Sequence, residues 1–92
     1  YIIILFMNIN ELIAIVKKKI ESEIVVENIS IEDKSFLHKK HSGNDIDKFH
    51  LKIQIKSIEL KKISKVDGTK KIYKILDSEI KNFIHSLQLL IN

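Results

Sequence analysis

One alternating stretch, Asp47–Ser57, constrains the fold more than any other part of the chain. Every second residue in it is apolar, and the residues between them are polar: His50, Lys52, Gln54 and Lys56. Because successive side chains of a strand point to opposite faces, this pattern predicts a β-strand over Lys48–Ser57 with one apolar and one polar face. The chain must therefore build a sheet that is covered on one side.

Two further elements are predicted ahead of this strand. Asn8 and Glu11 form a capping-box pattern, and apolar residues at helical spacing then predict a helix over Ile9–Ser22. A sequence pattern with a period of two residues over Ile24–Glu32 predicts a first strand. The polar segment Asp33–Asp45 is longer than a hairpin turn requires, and long loops in small domains are often functional.

After the central strand, the apolar residues of the chain return to helical spacing. A short helical turn is predicted over Leu60–Val66, with Ile63 and Val66 as its apolar contacts. A second main helix over Lys70–Asn82 and a last strand over Ile84–Ile91 follow. Since a helical crossover joins the last two strands, they should be parallel, while the first two should be antiparallel. We expect a single small α+β domain in which helices cover one face of a three-stranded mixed sheet.

Composition limits the chemistry that is open to this chain. Its 92 residues suffice for one domain, and it contains no cysteine, which excludes disulfides, thiolate catalysis and a self-contained cysteine-ligated cluster. Lysine supplies all sixteen basic charges, and the net charge of +4 permits an anionic partner. No nucleophile elbow, paired-carboxylate pattern or phosphate-binding loop is present, so we predict that the chain is not an enzyme.

The apolar run Tyr1–Phe6 is too short for a signal-peptide core or a membrane span. Met7 is the only methionine, and the first predicted helix begins directly after it. We therefore expect Met7 to be the natural start, residues 1–8 to form a disordered extension, and residues 9–92 to form the domain. The expected location is the cytoplasm, without membrane contact.

Several segments together resemble the BolA-like family. The run Asp33–Gly43 (Asp-Lys-Ser-Phe-Leu-His-Lys-Lys-His-Ser-Gly) resembles its signature Asp-x-Ser-x-x-His-x-x-His-x-Gly. The strand His50–Ser57 resembles a His-Phe-Lys-Val strand that ends in serine. Ile72-Tyr73 and Ile84–Leu87 resemble the family's helix and its closing Ile-His-Ala-Leu strand. The order and spacing of these pieces match over about residues 9–91.

The resemblance implies a class II KH-like fold with element order αββααβ and a non-enzymatic role. BolA-like proteins pair with monothiol glutaredoxins and share a [2Fe–2S] cluster with them, and no small-molecule substrate is implied. Our first hypothesis is therefore an adaptor in cluster trafficking or iron sensing that holds no cofactor when alone. It assigns iron ligation to His38 or His41, with the partner, and assigns the partner interface to Thr69 and Tyr73.

The histidines themselves leave alternatives open. His38 and His41 are imidazoles of the kind that bind iron and zinc, but two ligands make only half of a metal site, and solvated loop histidines are the alternative. His50, on the polar face of its strand, is a weaker candidate ligand and is otherwise an ordinary surface residue. His85 opens the last strand, where a hydrogen bond to the backbone is the simpler expectation.

Our second hypothesis is a DNA-binding transcription regulator, a role that some bacterial BolA-like proteins are described as having. Its basis is a lysine cluster on the predicted helical pair, which would contact phosphates. With no arginine and no Gly-x-x-Gly loop, binding should be directed at the backbone and weakly sequence-specific. A solvated surface is the alternative. The cluster consists of Lys61, Lys62, Lys65, Lys70, Lys71 and Lys74.

Overall fold

The sheet of this protein has the predicted central strand and the predicted mixed pairing. The computed structural model describes residues 8–35 and 49–92. Strand β2 lies between an antiparallel β1 and a parallel β3. The expected α+β fold is thereby confirmed. The elements are α1 (Ile9–Glu23), β1 (Asn28–Asp33), β2 (Phe49–Lys56), α2 (Ile58–Lys61), α3 (Lys65–Ile75), α4 (Asp77–Asn82) and β3 (Ile84–Ile91).

The apolar face of β2 forms the centre of the core. Leu51, Ile53 and Ile55 are buried, as their alternation predicts. The sheet register places apolar residues of β1 and β3 beside them on the same face. The helices cover this face with their own buried residues, among them Leu12, Val16, Ile20, Leu60, Ile72 and Leu76.

Helix α1 begins as the capping box predicts. The Asn8 side chain accepts a hydrogen bond from the Glu11 N–H at 2.8 Å, and the Asn8 N–H donates to the Glu11 carboxylate at 3.3 Å. These bonds satisfy two of the backbone donors that a helix start leaves open. The helix ends at Glu23, and Ile24, in extended conformation, caps it with an N–H bond to the Ile20 carbonyl.

The predicted start of the first strand is wrong, because β1 begins at Asn28 and not at Ile24. The β-branched run that suggested a strand links α1 to the sheet instead. Val25 is bonded to α2 and to the end of β2 through Glu59 and Ser57, so contacts distant in sequence override its strand propensity.

The helical pair also differs from the prediction. Ile63 and Val66 are 40% and 63% exposed, so they are not the apolar contacts of a short helical turn. Leu60, inside α2, takes that role. The helix predicted over Lys70–Asn82 begins earlier, because the Ser64 side chain accepts a hydrogen bond from the Asp67 N–H and so caps α3. It is interrupted at Leu76, whose backbone leaves the helical region.

Strand β3 has the predicted bounds, but it contains a β-bulge at its start. Phe49 pairs with Ile84 and His50 pairs with Ser86, so His85 is the extra residue. The bulge lets both Ile84 and Leu87, three positions apart, face the core. Neither described range contains a helix long and apolar enough to cross a membrane.

Candidate nucleic-acid interface and histidine pair

The six lysines predicted to contact nucleic acid, which we call the lysine face, all lie on the surface of the α2–α3 unit. Each of them is exposed: Lys61, Lys62, Lys65, Lys70, Lys71 and Lys74. Two of them end α2, and the others are spread along α3. The structure therefore places the predicted set on one helical unit, with Lys61 and Lys65 beside β3 and with Lys71 and Lys74 beside α1.

Ser57 fixes the position of α2 beneath the lysine face. This residue is fully buried, and its hydroxyl accepts a hydrogen bond from the Leu60 N–H at 3.1 Å. The same hydroxyl donates to the Val25 carbonyl at 2.7 Å, which joins the α1–β1 link to the helix. One hydroxyl thus satisfies a helix-start donor and a carbonyl from a distant segment.

A carboxylate restrains one lysine of the face. Glu59 accepts the Val25 N–H at 2.9 Å and also lies 3.4 Å from the Lys71 ammonium. The hydrogen bond from Val25, aided by Lys71 and opposed by partial burial, holds the pKa of the Glu59 carboxyl below its ordinary value of 4.5. Glu59 is therefore anionic at neutral pH and offsets part of the positive charge of Lys71.

A cleft between α1 and α3 extends the positive surface beyond the predicted lysines. Lys19 lines one wall of this cleft, while Lys71 and Lys74 line the other. The Lys19 ammonium lies 2.7 Å from the carboxylate of Glu79, whose side chain is only 8% exposed. This ion pair ties α1 to α4 and holds Lys19 at the cleft.

The two residues assigned to a partner interface lie on α3 next to lysines of the lysine face, since Thr69 follows Lys65 by four residues and Tyr73 follows Lys70 by three. The Tyr73 side chain reaches β3, where its hydroxyl donates to the Leu87 carbonyl at 3.4 Å. Tyr73 is 39% exposed, and Thr69, one turn earlier, is partly buried. Tyr73 therefore belongs to the margin of the sheet.

His50 is not the surface histidine that the alternating pattern predicts, because only 6% of it is exposed. Its Nδ1 atom lies 2.7 Å from the Ser86 hydroxyl, and its ring packs edge-on against His85 with 5.0 Å between ring centroids. The backbone N–H of His50 donates to the Ser35 hydroxyl at 3.1 Å. The bulge in β3 is the reason, since it brings both Ser86 and His85 against this ring.

The histidine pair, His50 and His85, lies where β1 and β2 meet residues 36–48, which are outside the described residues. His38 and His41 are among those residues, so their predicted role in metal binding stays a prediction. Within 8–35 and 49–92, no group of three or more metal-ligating side chains comes together. A metal held by the histidine pair would need ligands from elsewhere.

Comparison with known proteins agrees with this fold and with the quoted segments. A family model described as "BolA-like protein" matches residues 20–92. This chain belongs to the BolA family. A curated relative, the DNA-binding transcriptional regulator BolA of Haemophilus influenzae, is 35% identical over 75 residues, which are 82% of this chain and 70% of the relative.

Solved structures with BolA domains superpose well on this family member. The BolA domain of SufE1 from Arabidopsis thaliana gives a TM-score of 0.72 at 26% identity, covering 86% of this chain and 87% of that one. BolA1 from Arabidopsis thaliana gives the same score and coverage at 22% identity, a likeness of fold alone.

Sequence reasoning missed two residues of this BolA-family chain that the structure places at candidate sites. His85 was assigned a backbone bond, although the three-residue spacing from Ile84 to Leu87 on one face required a bulge that turns it toward His50. Lys19 looked like any outward lysine of α1, and nothing in the sequence showed that it faces α3.

Proposed function

We propose that this protein is a DNA-binding regulator that contacts the duplex backbone through the lysine face and acts in the cytoplasm. The observation that carries the proposal is the exposure of all six lysines on one capped helical unit. The Haemophilus influenzae relative is a protein named as a DNA-binding transcriptional regulator, which supports the same role. The proposal assigns no reaction to the chain.

Recognition in this proposal is electrostatic. Lysine is a point charge on a flexible stem, well suited to phosphate oxygens, whereas arginine is the usual two-pronged reader of guanine. The chain contains no arginine. The cleft places Lys19 at the margin of the surface, where the Glu79 carboxylate offsets its charge. Affinity should therefore depend steeply on salt and only weakly on base sequence.

A duplex titration tests this function. Fluorescence anisotropy with a labelled random-sequence duplex should show binding at about 50 mM salt that weakens strongly by about 200 mM. If four or more lysines contact phosphates, the slope of log K against log salt should be roughly −3.5 or steeper. The absence of binding at the lower salt concentration, or a flat salt dependence, would reject a DNA-binding role.

We propose as a second candidate an adaptor that docks a monothiol glutaredoxin and shares a [2Fe–2S] cluster with it. The observation in its favour is the histidine pair, which lies at the end of the sheet where β2 begins, directly after residues 36–48 in the chain. Imidazole is a good iron ligand. One of the two loop histidines, with His85 or more weakly His50 beside it, would supply this chain's ligands, and the partner would supply thiolate.

Anaerobic mixing with a cluster-loaded monothiol glutaredoxin tests the adaptor. The visible circular dichroism of the cluster should change on mixing, and the two proteins should co-elute. The change should be lost in His38→Ala or His41→Ala and reduced in His85→Ala, whereas Lys56→Ala, at the other end of β2, should leave it intact. A spectrum that mixing does not alter, together with separate elution, contradicts this role.

A further inference from the structure

The outer edge of β3 carries backbone groups that no strand within residues 8–35 and 49–92 pairs. β3 is a terminal strand of the sheet, and no other strand of the described chain lies beside its outer edge. At its end, the Asn92 N–H donates to the Ile55 carbonyl at 2.7 Å and the Asn92 carbonyl accepts from the Ser57 N–H at 3.2 Å. Because alternate residues of a parallel strand bond to opposite sides, the groups of Leu87, Leu89 and Ile91 point outward.

The contact of Tyr73 agrees with this orientation. Its hydroxyl reaches the Leu87 carbonyl from outside the sheet, at 3.4 Å. A carbonyl oxygen has a second lone pair, so Leu87 can accept another hydrogen bond. The outer edge of β3 is thus a short ladder of donors and acceptors at every second residue.

The strand at this edge contains no acidic residue and no lysine. Residues 82–92 form the longest stretch of the chain without aspartate, glutamate or lysine, and they contain no proline. Natural edge strands usually avoid pairing through lysine, proline or short length, and β3 uses none of these means over its eight residues. The opposite edge of the sheet, β1, is shorter and contains Glu32 and Asp33.

Apolar side chains border the same edge. Leu90, on the open face of the sheet, is 40% exposed, and Tyr73 is 39% exposed beside Leu87. Ile63, which is 40% exposed, lines a depression with Ile91, and Lys61 and Lys65 also line it. A partner strand laid along β3 would cover this apolar margin as well as the backbone groups.

We propose that the outer edge of β3 pairs with the β3 strand of a second copy of this chain. The two strands run antiparallel about a two-fold axis at Leu89, and the two sheets become one sheet of six strands. Leu89 then faces its own copy, Leu87 faces Ile91 and Gln88 faces Leu90 across the axis. About six backbone hydrogen bonds join the strands, two for each facing pair of outward residues.

The composition of β3 itself favours a second copy of this strand as the occupant. Each copy has a net charge of +4, so two copies repel wherever their lysines meet. Pairing through residues 82–92 brings no charged side chains opposite each other. Self-pairing also sets Leu89 beside its own copy and Leu87 beside Ile91, so the apolar face of the sheet continues into the second copy.

A proline substitution isolates the proposed hydrogen bonds. Leu89→Pro removes an outward N–H without removing a bond to β2, and Leu89→Ala is its matched control, which loses the same side chain but keeps the donor. Sedimentation velocity from micromolar to millimolar protein should show concentration-dependent dimers for the native chain and for Leu89→Ala. Dimerisation of Leu89→Pro should be at least about tenfold weaker, with unchanged far-ultraviolet circular dichroism.

A second pair of variants covers the case in which Leu89→Pro does not fold. Leu90→Lys puts a charge on the open face of β3, and Ser30→Lys does the same on β1, at the other edge. Dimer loss in Leu90→Lys with dimers retained in Ser30→Lys supports the proposal. A native chain that stays monomeric at every concentration overturns it, as does equal weakening of dimerisation by both lysine variants.

Discussion

Replacing Lys65 and Lys70 with alanine should weaken binding to a random-sequence duplex by about 50-fold at about 0.1 M salt. Both residues are exposed on α3, and neither has an ion-pair partner within the described ranges. Each lost phosphate contact should also reduce the slope of log K against log salt by about 0.9. Anisotropy titrations of the double variant at several salt concentrations measure both quantities.

The matched control is Lys52→Ala combined with Lys56→Ala. These lysines belong to β2, on the face of the sheet opposite to the helices, and their loss lowers the net charge equally. Its affinity should fall only slightly, because long-range attraction weakens while the contacts remain. If both double variants lose affinity equally, net charge rather than the lysine face governs binding.

Replacing Ser57 with alanine should destabilise the protein by about 2 kcal/mol, because the helix start of α2 loses its cap and the Val25 carbonyl loses its donor. For a domain of this size, that corresponds to a fall in Tm of roughly 8–16 °C. Thermal melts followed by far-ultraviolet circular dichroism, together with urea titrations, give the change.

Ser64→Ala provides the comparison for Ser57→Ala. Ser64 caps α3 through the Asp67 N–H at 3.0 Å, but this bond is exposed to solvent and satisfies no distant carbonyl. Its loss should cost about 1 kcal/mol or less. Equal destabilisation by the two substitutions would show that Ser57 acts only as a helix cap and does not join α2 to the α1–β1 link.

The sequence predicted the sheet well because its strands carry their own signal. Apolar and polar residues alternate in β2 and β3 because one face of each strand is covered. This period of two residues can be read from neighbouring positions in the sequence, without knowing which segments cover the face. The start of α1 is also encoded locally, because Asn8 and Glu11 form a capping box. Such features depend on residues a few positions apart, so they can be seen without the fold.

The wrong predictions came from contacts between distant segments. Val25 has the β-branched shape of a strand residue, but its backbone is bonded to Ser57 and Glu59. His50 follows the polar phase of its strand, yet residues of β3 bury it after a bulge. The serine at position 64 was a readable signal for the start of α3, since serine followed three residues later by an acid is a capping pattern.

The bulge at His85 divides β3 into two parts with different properties. A bulge bends its strand and increases the local twist, so the end with the imidazole rings is turned relative to the regular ladder beyond Ser86. A molecule bound at the twisted end leaves the regular end open to a neighbouring strand. One strand of eight residues thus offers two surfaces of different twist within a single small domain.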